Sequence, residues 1–163
     1  MFTREFFNLG KRKLSPTGVW AQWLHCYGMN PDDLRSLLAT FADTYTHVRL
    51  FRIDESDLVV VGSDAALPMR VSTFGRLMSA TGDLATSFSS IAIDQPEQLI
   101  ALYYMDRPSI LKLGGDIQRN TDDNMRIEYS APLYLNKDTA VANTLLLRSA
   151  SKVPFDAVEE PSS

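Results

Sequence analysis

Cysteine is almost absent from the 163-residue sequence, in which Cys26 is the single cysteine. One cysteine forms no internal disulfide, and this favours a reducing compartment. Long apolar runs are absent as well, and none approaches the roughly twenty residues that a membrane-spanning helix needs. These absences predict a cytoplasmic protein whose chain makes no membrane contact.

Positive charge is in deficit. The sequence has 16 lysine and arginine residues against 20 aspartate and glutamate residues, which gives a formal net charge of -4. An acidic chain is a poor match for a polyanion, so we expect no nucleic-acid partner. Cys26 and its neighbour His25 supply too few ligands for a zinc site, and we predict no metal.

Glycine-rich motifs are also missing. The sequence has eight glycines, but no Gly-x-Gly-x-x-Gly follows a predicted strand. Gly114 and Gly115 form a lone pair after a predicted helix, where glycine commonly ends helices. The dinucleotide-binding fingerprint is therefore excluded, and we predict no cofactor for this chain itself.

Residues 30–64 carry the clearest structural pattern. Asn30 is predicted to cap a helix that begins at Pro31, and apolar residues recur along this helix at helical spacing. The segment His47–Ile53 is then typical of a strand, and Leu58–Val61 is typical of a buried strand. The short polar turn between them predicts an antiparallel hairpin.

Two further elements precede this region. Residues Thr3–Leu14 are predicted to form a helix capped by Thr3, and Val19–Leu24 is a short apolar strand. A helical crossover separates this strand from His47–Ile53, so the two are predicted to run parallel. Residues 1–66 are therefore assigned to an α/β domain with about three mixed strands and flanking helices.

From residue 67 to residue 150 the pattern is mainly helical, with an acidic loop at 116–124. The predicted elements are helices at Met69–Ala80, Leu84–Ile93, Gln95–Met105, Arg107–Leu113 and Asp138–Ser149, and a short strand at Arg126–Tyr129. Asp94, Asp106 and Asp138 are the predicted helix caps. Residues 151–163 are rich in proline, serine and acidic side chains and are predicted to be a disordered tail.

Two stretches of the sequence resemble the spermidine synthase family. The first is Phe2-Thr3-Arg4-Glu5-Phe6-Phe7 with Leu14-Ser15-Pro16-Thr17-Gly18-Val19-Trp20-Ala21-Gln22-Trp23-Leu24-His25, which is similar to the C-terminal half of the catalytic domain. The second is Asn120-Thr121-Asp122-Asp123-Asn124-Met125-Arg126-Ile127-Glu128-Tyr129-Ser130-Ala131-Pro132, which resembles a segment of bacterial spermidine synthase-like proteins. The resemblance covers the chain from Phe2 to about Pro132.

This resemblance implies a class I methyltransferase-like (Rossmann-like) half-sheet with its last strands in the order Val19–Leu24, Leu58–Val61, His47–Ile53. It also implies aminopropyl transfer from decarboxylated S-adenosylmethionine to an amine in intact relatives. The family's donor-binding glycine-rich turn and catalytic aspartate lie upstream of the residues that match Met1. The chain therefore resembles a fragment of an aminopropyltransferase-like domain, and we expect it to be inactive alone.

Three residues near the end of the first strand are candidates for a substrate pocket. A glutamine at this point lines the amine pocket of spermidine synthases, so the resemblance implies a substrate-binding role for Gln22. Alternatively, its amide bonds neighbouring backbone. His25 and Tyr27 follow as candidate pocket residues, and His25 is capable of acid–base work or simply fills the loop. A nucleophilic Cys26 is less favoured, because adjacent residues rarely face each other.

The acidic loop offers a second candidate site, formed by Asp122, Asp123 and Glu128. These carboxylates would attract a divalent cation or a polyamine. The alternative, which we favour, is a structural loop locked by short hydrogen bonds and by ion pairs with Arg119 or Arg126.

Three classes of function follow from this sequence. One is a fragment of an aminopropyltransferase-like enzyme, and another is a non-catalytic module for self-association or partner binding. The third, a regulatory domain that senses polyamines through its acidic residues, has only charge in its favour. Strand 19–24 would be an exposed edge with no lysine or proline to protect it. We therefore expect a homodimer formed by antiparallel pairing of this edge, unless the helical part of the chain folds over it.

Overall fold

The computed structural model describes residues 2–79, 83–150 and 158–159. The chain forms two compact units, the first combining residues 1–67 with 104–152 and the second combining residues 68–103 with 153–163. The chain thus returns to the first unit at Tyr104, whereas the sequence analysis assigned residues 67–150 to one helical extension. Apart from residues 158–159, the tail predicted to be disordered lies outside the described residues.

Helices and strands alternate along the first part of the chain and helices predominate later. In chain order the elements are α1 (Arg4–Lys11), β1 (Trp20–His25), α2 (Pro31–Thr44), β2 (His47–Arg52), β3 (Asp57–Ser63), β4 (Met69–Arg70), α3 (Val71–Met78), α4 (Asp83–Ser90), α5 (Pro96–Ala101), β5 (Tyr103–Asp106), α6 (Arg107–Gly114), α7 (Arg126–Ser130), a 3-10 turn (Ala131–Leu133), α8 (Ala140–Ala150) and β6 (Val158–Glu159). None of the described helices has the length and apolar character needed to cross a bilayer.

The main sheet has four strands in the order β1-β3-β2-β5. In its register Trp20 lies opposite Gly62 and His25 lies opposite Asp57, while His47 lies opposite Ser63. The predicted hairpin and the predicted order of the first three strands agree with this sheet. The predicted mixed, Rossmann-like half-sheet of three strands is wrong, because every neighbouring pair is antiparallel and a fourth strand is present. β1 and β2 run in the same direction, but β3 lies between them and no parallel pair forms.

The predictions for Gln95–Met105 and Arg126–Tyr129 are wrong. The predicted helix Gln95–Met105 ends at Ala101, and Tyr103–Asp106 instead forms a strand that joins the sheet. The predicted strand Arg126–Tyr129 is part of the helix α7. The Oδ1 atom of Asn124 accepts a hydrogen bond from the Arg126 backbone N–H at 3.1 Å, which satisfies a donor at the start of this helix.

One face of the sheet packs against helices of the first unit. Six buried sheet residues belong to one core, namely Leu24, Val48, Leu50, Leu58, Val60 and Met105. They share it with Leu34, Leu37, Leu38 and Phe41 of α2 and with Tyr45, which follows this helix. Alternation along each strand turns the intervening residues to the other face. That other face includes Trp23, Val59 and Phe51, which are exposed or half-buried. The helix-covered face holds the core, and the opposite face carries the aromatic residues considered next.

The second unit is small. Its helix α3 packs against both α4 and α5. Its two short strands, β4 and β6, pair in parallel, with Met69 opposite Val158. Gln95 and Gln98 form a capping box at the start of α5, whereas the sequence analysis assigned the cap to Asp94.

Candidate functional site

β1 ends in a row of aromatic side chains. Trp23, His25 and Tyr27 occupy alternate positions, which places them on one face of the strand and its extension. The ring centroid of His25 lies 5.5 Å from that of Trp23 and 4.6 Å from that of Tyr27. Trp23 is 51% exposed and Tyr27 is 49% exposed, so the two outer rings of this aromatic row are open to solvent. Exposed ring faces of this kind attract organic cations.

A carboxylate lies beside the aromatic row. Asp57 is opposite His25 in the pairing of β1 with β3, so both side chains lie on the same face of the sheet. The Oδ1 atom of Asp57 is buried and has no hydrogen-bond partner among the described residues. Asp54 and Glu55 in the adjoining turn are exposed. The aromatic row therefore has acidic side chains nearby, together with the Arg52 guanidinium, whose Nε donates to the Asp54 backbone oxygen at 2.9 Å.

Gln22 lies on the other side of β1. It is half-buried, and its Nε2 atom donates a hydrogen bond to the Trp23 backbone oxygen at 3.0 Å. This contact with neighbouring backbone is the alternative that the sequence analysis set against amine binding. The structure brings His25 and Tyr27 together, but Gln22 faces away from both.

Cys26 is unsuited to nucleophilic chemistry. Its side chain is 1% exposed, and burial raises the pKa of the thiol to about 11, an effect that Arg52 opposes and Asp57 reinforces. The thiolate is the reactive form of cysteine, and at neutral pH this thiol stays protonated. Cys26 therefore acts as a buried apolar residue between β1 and α2.

The acidic loop is held by hydrogen bonds rather than by its acidic side chains. Asn124 donates from Nδ2 to the Arg119 backbone oxygen at 2.7 Å and accepts from the Thr121 backbone N–H at 3.1 Å. Asp122 and Asp123 are exposed, and Asp122 contacts α1 through its backbone N–H, which donates to Glu5 Oε2 at 2.9 Å.

The expected ion pairs of this loop with Arg119 and Arg126 have different partners. Arg119 binds Asp43, with Nε 2.7 Å from Oδ2, and Arg126 binds Asp33 at 3.2 Å. Glu128 is half-buried on α7.

Asn120 joins the two stretches that carry the family resemblance. Its Nδ2 atom donates to the Phe2 backbone oxygen at 3.0 Å, and its backbone oxygen accepts from the Arg4 N–H at 2.9 Å. Its own backbone N–H donates to Thr40 Oγ1 of α2 at 2.9 Å, and its Oδ1 atom accepts from the Ile127 N–H at 3.2 Å. The first and second resembling stretches are thus parts of one packed structure.

Comparison of the chain with protein-family models, with curated protein sequences and with solved structures finds no significant match. In the described part of the chain, no group of three or more His, Cys, Asp or Glu side chains is placed to hold a metal ion.

Sequence reasoning missed two residues of this site, Trp23 and Asp57. Trp23 was assigned only to a strand, yet the aromatic residues at 23 and 27 with the histidine at 25 show the spacing of two that places side chains on one strand face. That spacing was a usable signal. The position of Asp57 depends on the register of β1 with β3, which the sequence does not specify.

Proposed function

We propose that this chain is the amine-binding part of an aminopropyltransferase-like protein, and that it binds polyamines without catalysing transfer by itself. The observation that carries the proposal is the aromatic row of Trp23, His25 and Tyr27 beside the Asp57 carboxylate. The resemblance of the sequence to spermidine synthases supports the choice of a polyamine as the ligand. The single cysteine supports a reducing, cytoplasmic setting.

The chemistry of the aromatic row suits an organic ammonium group. An ammonium group over an exposed Trp or Tyr ring gains about 0.5–1 kcal/mol from each ring. The Asp57 carboxylate adds charge attraction, and the exposed acids of the β2–β3 turn extend it toward a second ammonium group. These contributions are modest, so we expect a dissociation constant on the order of 1 mM for spermidine.

The described residues do not fit the sulfonium donor of the family. Donor binding in that family uses a glycine-rich turn after a strand, and the loop between β1 and α2 contains a single glycine, Gly28. Two carbonyl groups of this loop, those of Cys26 and Met29, already accept hydrogen bonds from Asn143. We therefore assign no transfer step to this chain.

Titration with spermidine tests amine binding directly. The sequence has two tryptophans, so the Trp20→Phe variant leaves Trp23 as the only tryptophan reporter. Its fluorescence is expected to change with spermidine in the millimolar range, and a Trp23→Ala variant followed by calorimetry is expected to lose the binding heat. An uncharged diol of similar length is the ligand control. Equal responses to spermidine and the diol, or no response at 20-fold excess over the expected constant of about 1 mM, would refute the proposal.

A product assay tests the absence of catalysis. The isolated chain, incubated with putrescine and decarboxylated S-adenosylmethionine, is expected to form no spermidine detectable by mass spectrometry. Product that disappears in a Gln22→Ala variant would contradict this expectation and assign Gln22 a role in substrate binding.

Self-association through β1 is a second candidate function. Among the described strands β1 is at the edge of the sheet, and Val19 next to it is 48% exposed. No charged residue or proline interrupts Trp20–Leu24, so this edge lacks the usual protection against pairing. The occupant would be β1 of a second copy, since antiparallel pairing about a two-fold axis joins identical edges. The joined sheet would then run β5-β2-β3-β1 and continue in reverse order.

Light scattering on a sizing column tests this association. We expect a dimer at high micromolar concentration and a monomer for the Ala21→Pro variant, because proline removes a ladder donor from the strand. Circular dichroism of the variant checks that its fold is retained. A monomeric wild-type chain at high micromolar concentration would remove this candidate.

A further inference from the structure

The helix α8 braces both loops that adjoin the aromatic row. On one side, Asn143 and Thr139, the residue just before α8, form hydrogen bonds with the β1–α2 loop, which carries Tyr27. On the other side, Thr144 Oγ1 lies 3.5 Å from the Glu55 backbone oxygen in the β2–β3 turn. Thr139 and Asn143 are at least 110 positions along the chain from Cys26 and Met29. Residues distant in the sequence therefore contact both loops.

Asn143 makes the central contacts of this brace. Its side chain is fully buried, and its Nδ2 atom donates to the backbone oxygens of Cys26 and Met29 at 2.7 Å each. These two carbonyls bracket Tyr27 and Gly28. Gly28 has a φ of 63°, in the left-handed region that glycine favours. The amide thus spans a tight turn and sets the distance between its two ends.

We infer that Asn143 is a positioning residue, which holds the β1–α2 loop so that the Tyr27 ring stays against His25. The effect of Asn143 on amine binding rests on the proposed function. Its effect on the position of the Tyr27 ring does not. Without the brace, Tyr27 would leave the aromatic row, and a bound ammonium group would have one ring face fewer to contact.

The chemistry of the side chain supports a positioning role over simple packing. The two N–H groups of the amide donate to the two carbonyl oxygens. A carboxylate at this position would repel these oxygens, and an aliphatic side chain would leave them unpaired. The Asn143 Oδ1 atom is buried and has no partner among the described residues. An unpaired buried acceptor lowers stability, so an apolar residue would serve packing better at this position.

The experiment compares two variants of the same helix. Asn143→Ala removes the brace, and Leu147→Ala removes a buried apolar side chain one turn later that donates no hydrogen bond to the loop. Both are expected to lower the melting temperature. Nuclear Overhauser contacts between the His25 and Tyr27 rings are expected in the wild type and in Leu147→Ala, and to be lost in Asn143→Ala. Spermidine binding is expected to weaken about threefold in Asn143→Ala only, the value of one exposed cation–ring contact.

A second variant keeps the inference testable if Asn143→Ala does not fold. Thr139→Val removes the hydroxyl that accepts from the Met29 N–H at 3.2 Å and is expected to weaken the same ring contacts. Ring contacts that persist in Asn143→Ala, or in Thr139→Val if that is the folded variant, overturn the inference. Absence of spermidine binding by the wild type would refute the proposed function instead, and the ring contacts would still decide the role of Asn143.

Discussion

Arg126 forms an ion pair with Asp33, which is 93 positions away in the sequence, with Nε 3.2 Å from Oδ1. The Asp33 side chain is fully buried in the first turn of α2, and its Oδ2 atom accepts a second hydrogen bond from Asn30 at 2.7 Å. The pair ties α7 to the start of α2. Arg126 and Arg119 are thus paired with Asp33 and Asp43, which lie outside the acidic loop, and not with Asp122 or Asp123.

The first prediction concerns this pair. Arg126→Ala leaves the buried Asp33 carboxylate with its hydrogen bond from the Asn30 amide, and it is expected to lower the free energy of unfolding by roughly 3 kcal/mol. Asp122→Ala removes an exposed side chain and is expected to change it by less than about 0.5 kcal/mol. Urea denaturation of both variants measures the difference. Equal losses would indicate that Asp122 is the true partner of Arg126.

The second prediction concerns Asn120. Asn120→Ala leaves the Phe2 carbonyl and the Ile127 N–H without their partners, and it is expected to lower the free energy of unfolding by roughly 2–4 kcal/mol. Asp123→Ala, in the same loop but exposed, is the matched control and is expected to be nearly neutral. Denaturant titration compares the two, and a neutral Asn120→Ala would show that the tie between the two stretches contributes little.

The third prediction uses two helical glycines in different surroundings. A methyl group at Gly10 of α1 would overlap the Trp20 indole ring. Gly10→Ala is therefore expected to lower the free energy of unfolding by roughly 1–3 kcal/mol, although alanine has the better helix propensity. At Gly75 of α3 the nearest atom, in Pro96, would lie 3.7 Å away, so Gly75→Ala is expected to gain roughly 0.5–1 kcal/mol. Thermal unfolding gives both signs, and a gain at Gly10 would contradict the close packing of α1 on β1.

The fourth prediction concerns alkaline pH. Burial raises the pKa of Cys26 from 9.0 to about 11, and burial together with the Asp64 charge raises the pKa of Tyr45 from 10.0 to about 12. The folded state therefore holds a proton that the unfolded state releases earlier. The contribution of these two groups to the free energy of unfolding is fully present below pH 9 and is expected to be lost as the pH rises from 9 to 12.

Melting temperatures between pH 8 and pH 11 measure this effect. A Cys26→Ala variant starts from a lower melting temperature but is expected to show a shallower decline between pH 9 and 10, where Cys26 titrates ahead of Tyr45. Parallel curves for the variant and the wild type would show that Cys26 titrates alike in both states.

Local chemistry made part of the fold predictable. Thr3, Asn30 and Asp106 cap their helices as the sequence predicts, because each cap depends on residues at most three positions away. The hairpin of β2 and β3 is predictable for the same reason, since a short polar turn separates two apolar runs.

Distant partners decided the elements that the sequence did not predict. Arg126–Tyr129 alternates polar and apolar residues as a strand does, but Asp33 and Asn124 hold it as a helix. Tyr103–Asp106 is helical by local pattern, but an open edge beside β2 recruits it as a strand. The candidate site followed the same division. Gln22, His25 and Tyr27 came from one stretch of sequence, whereas Asp57 and Asn143 required strand register and a distant helix.

The bond from Asn120 to Phe2 forms late during synthesis of the chain. These residues are 118 positions apart, and a ribosome adding about 5–20 residues each second needs roughly 6–24 s to cover that distance. During this interval Phe7 of α1 can already pack on Phe41 of α2, but the bond that holds the Phe2 carbonyl is missing. The attachment of the N-terminal segment is therefore completed only after residue 120 has been synthesised.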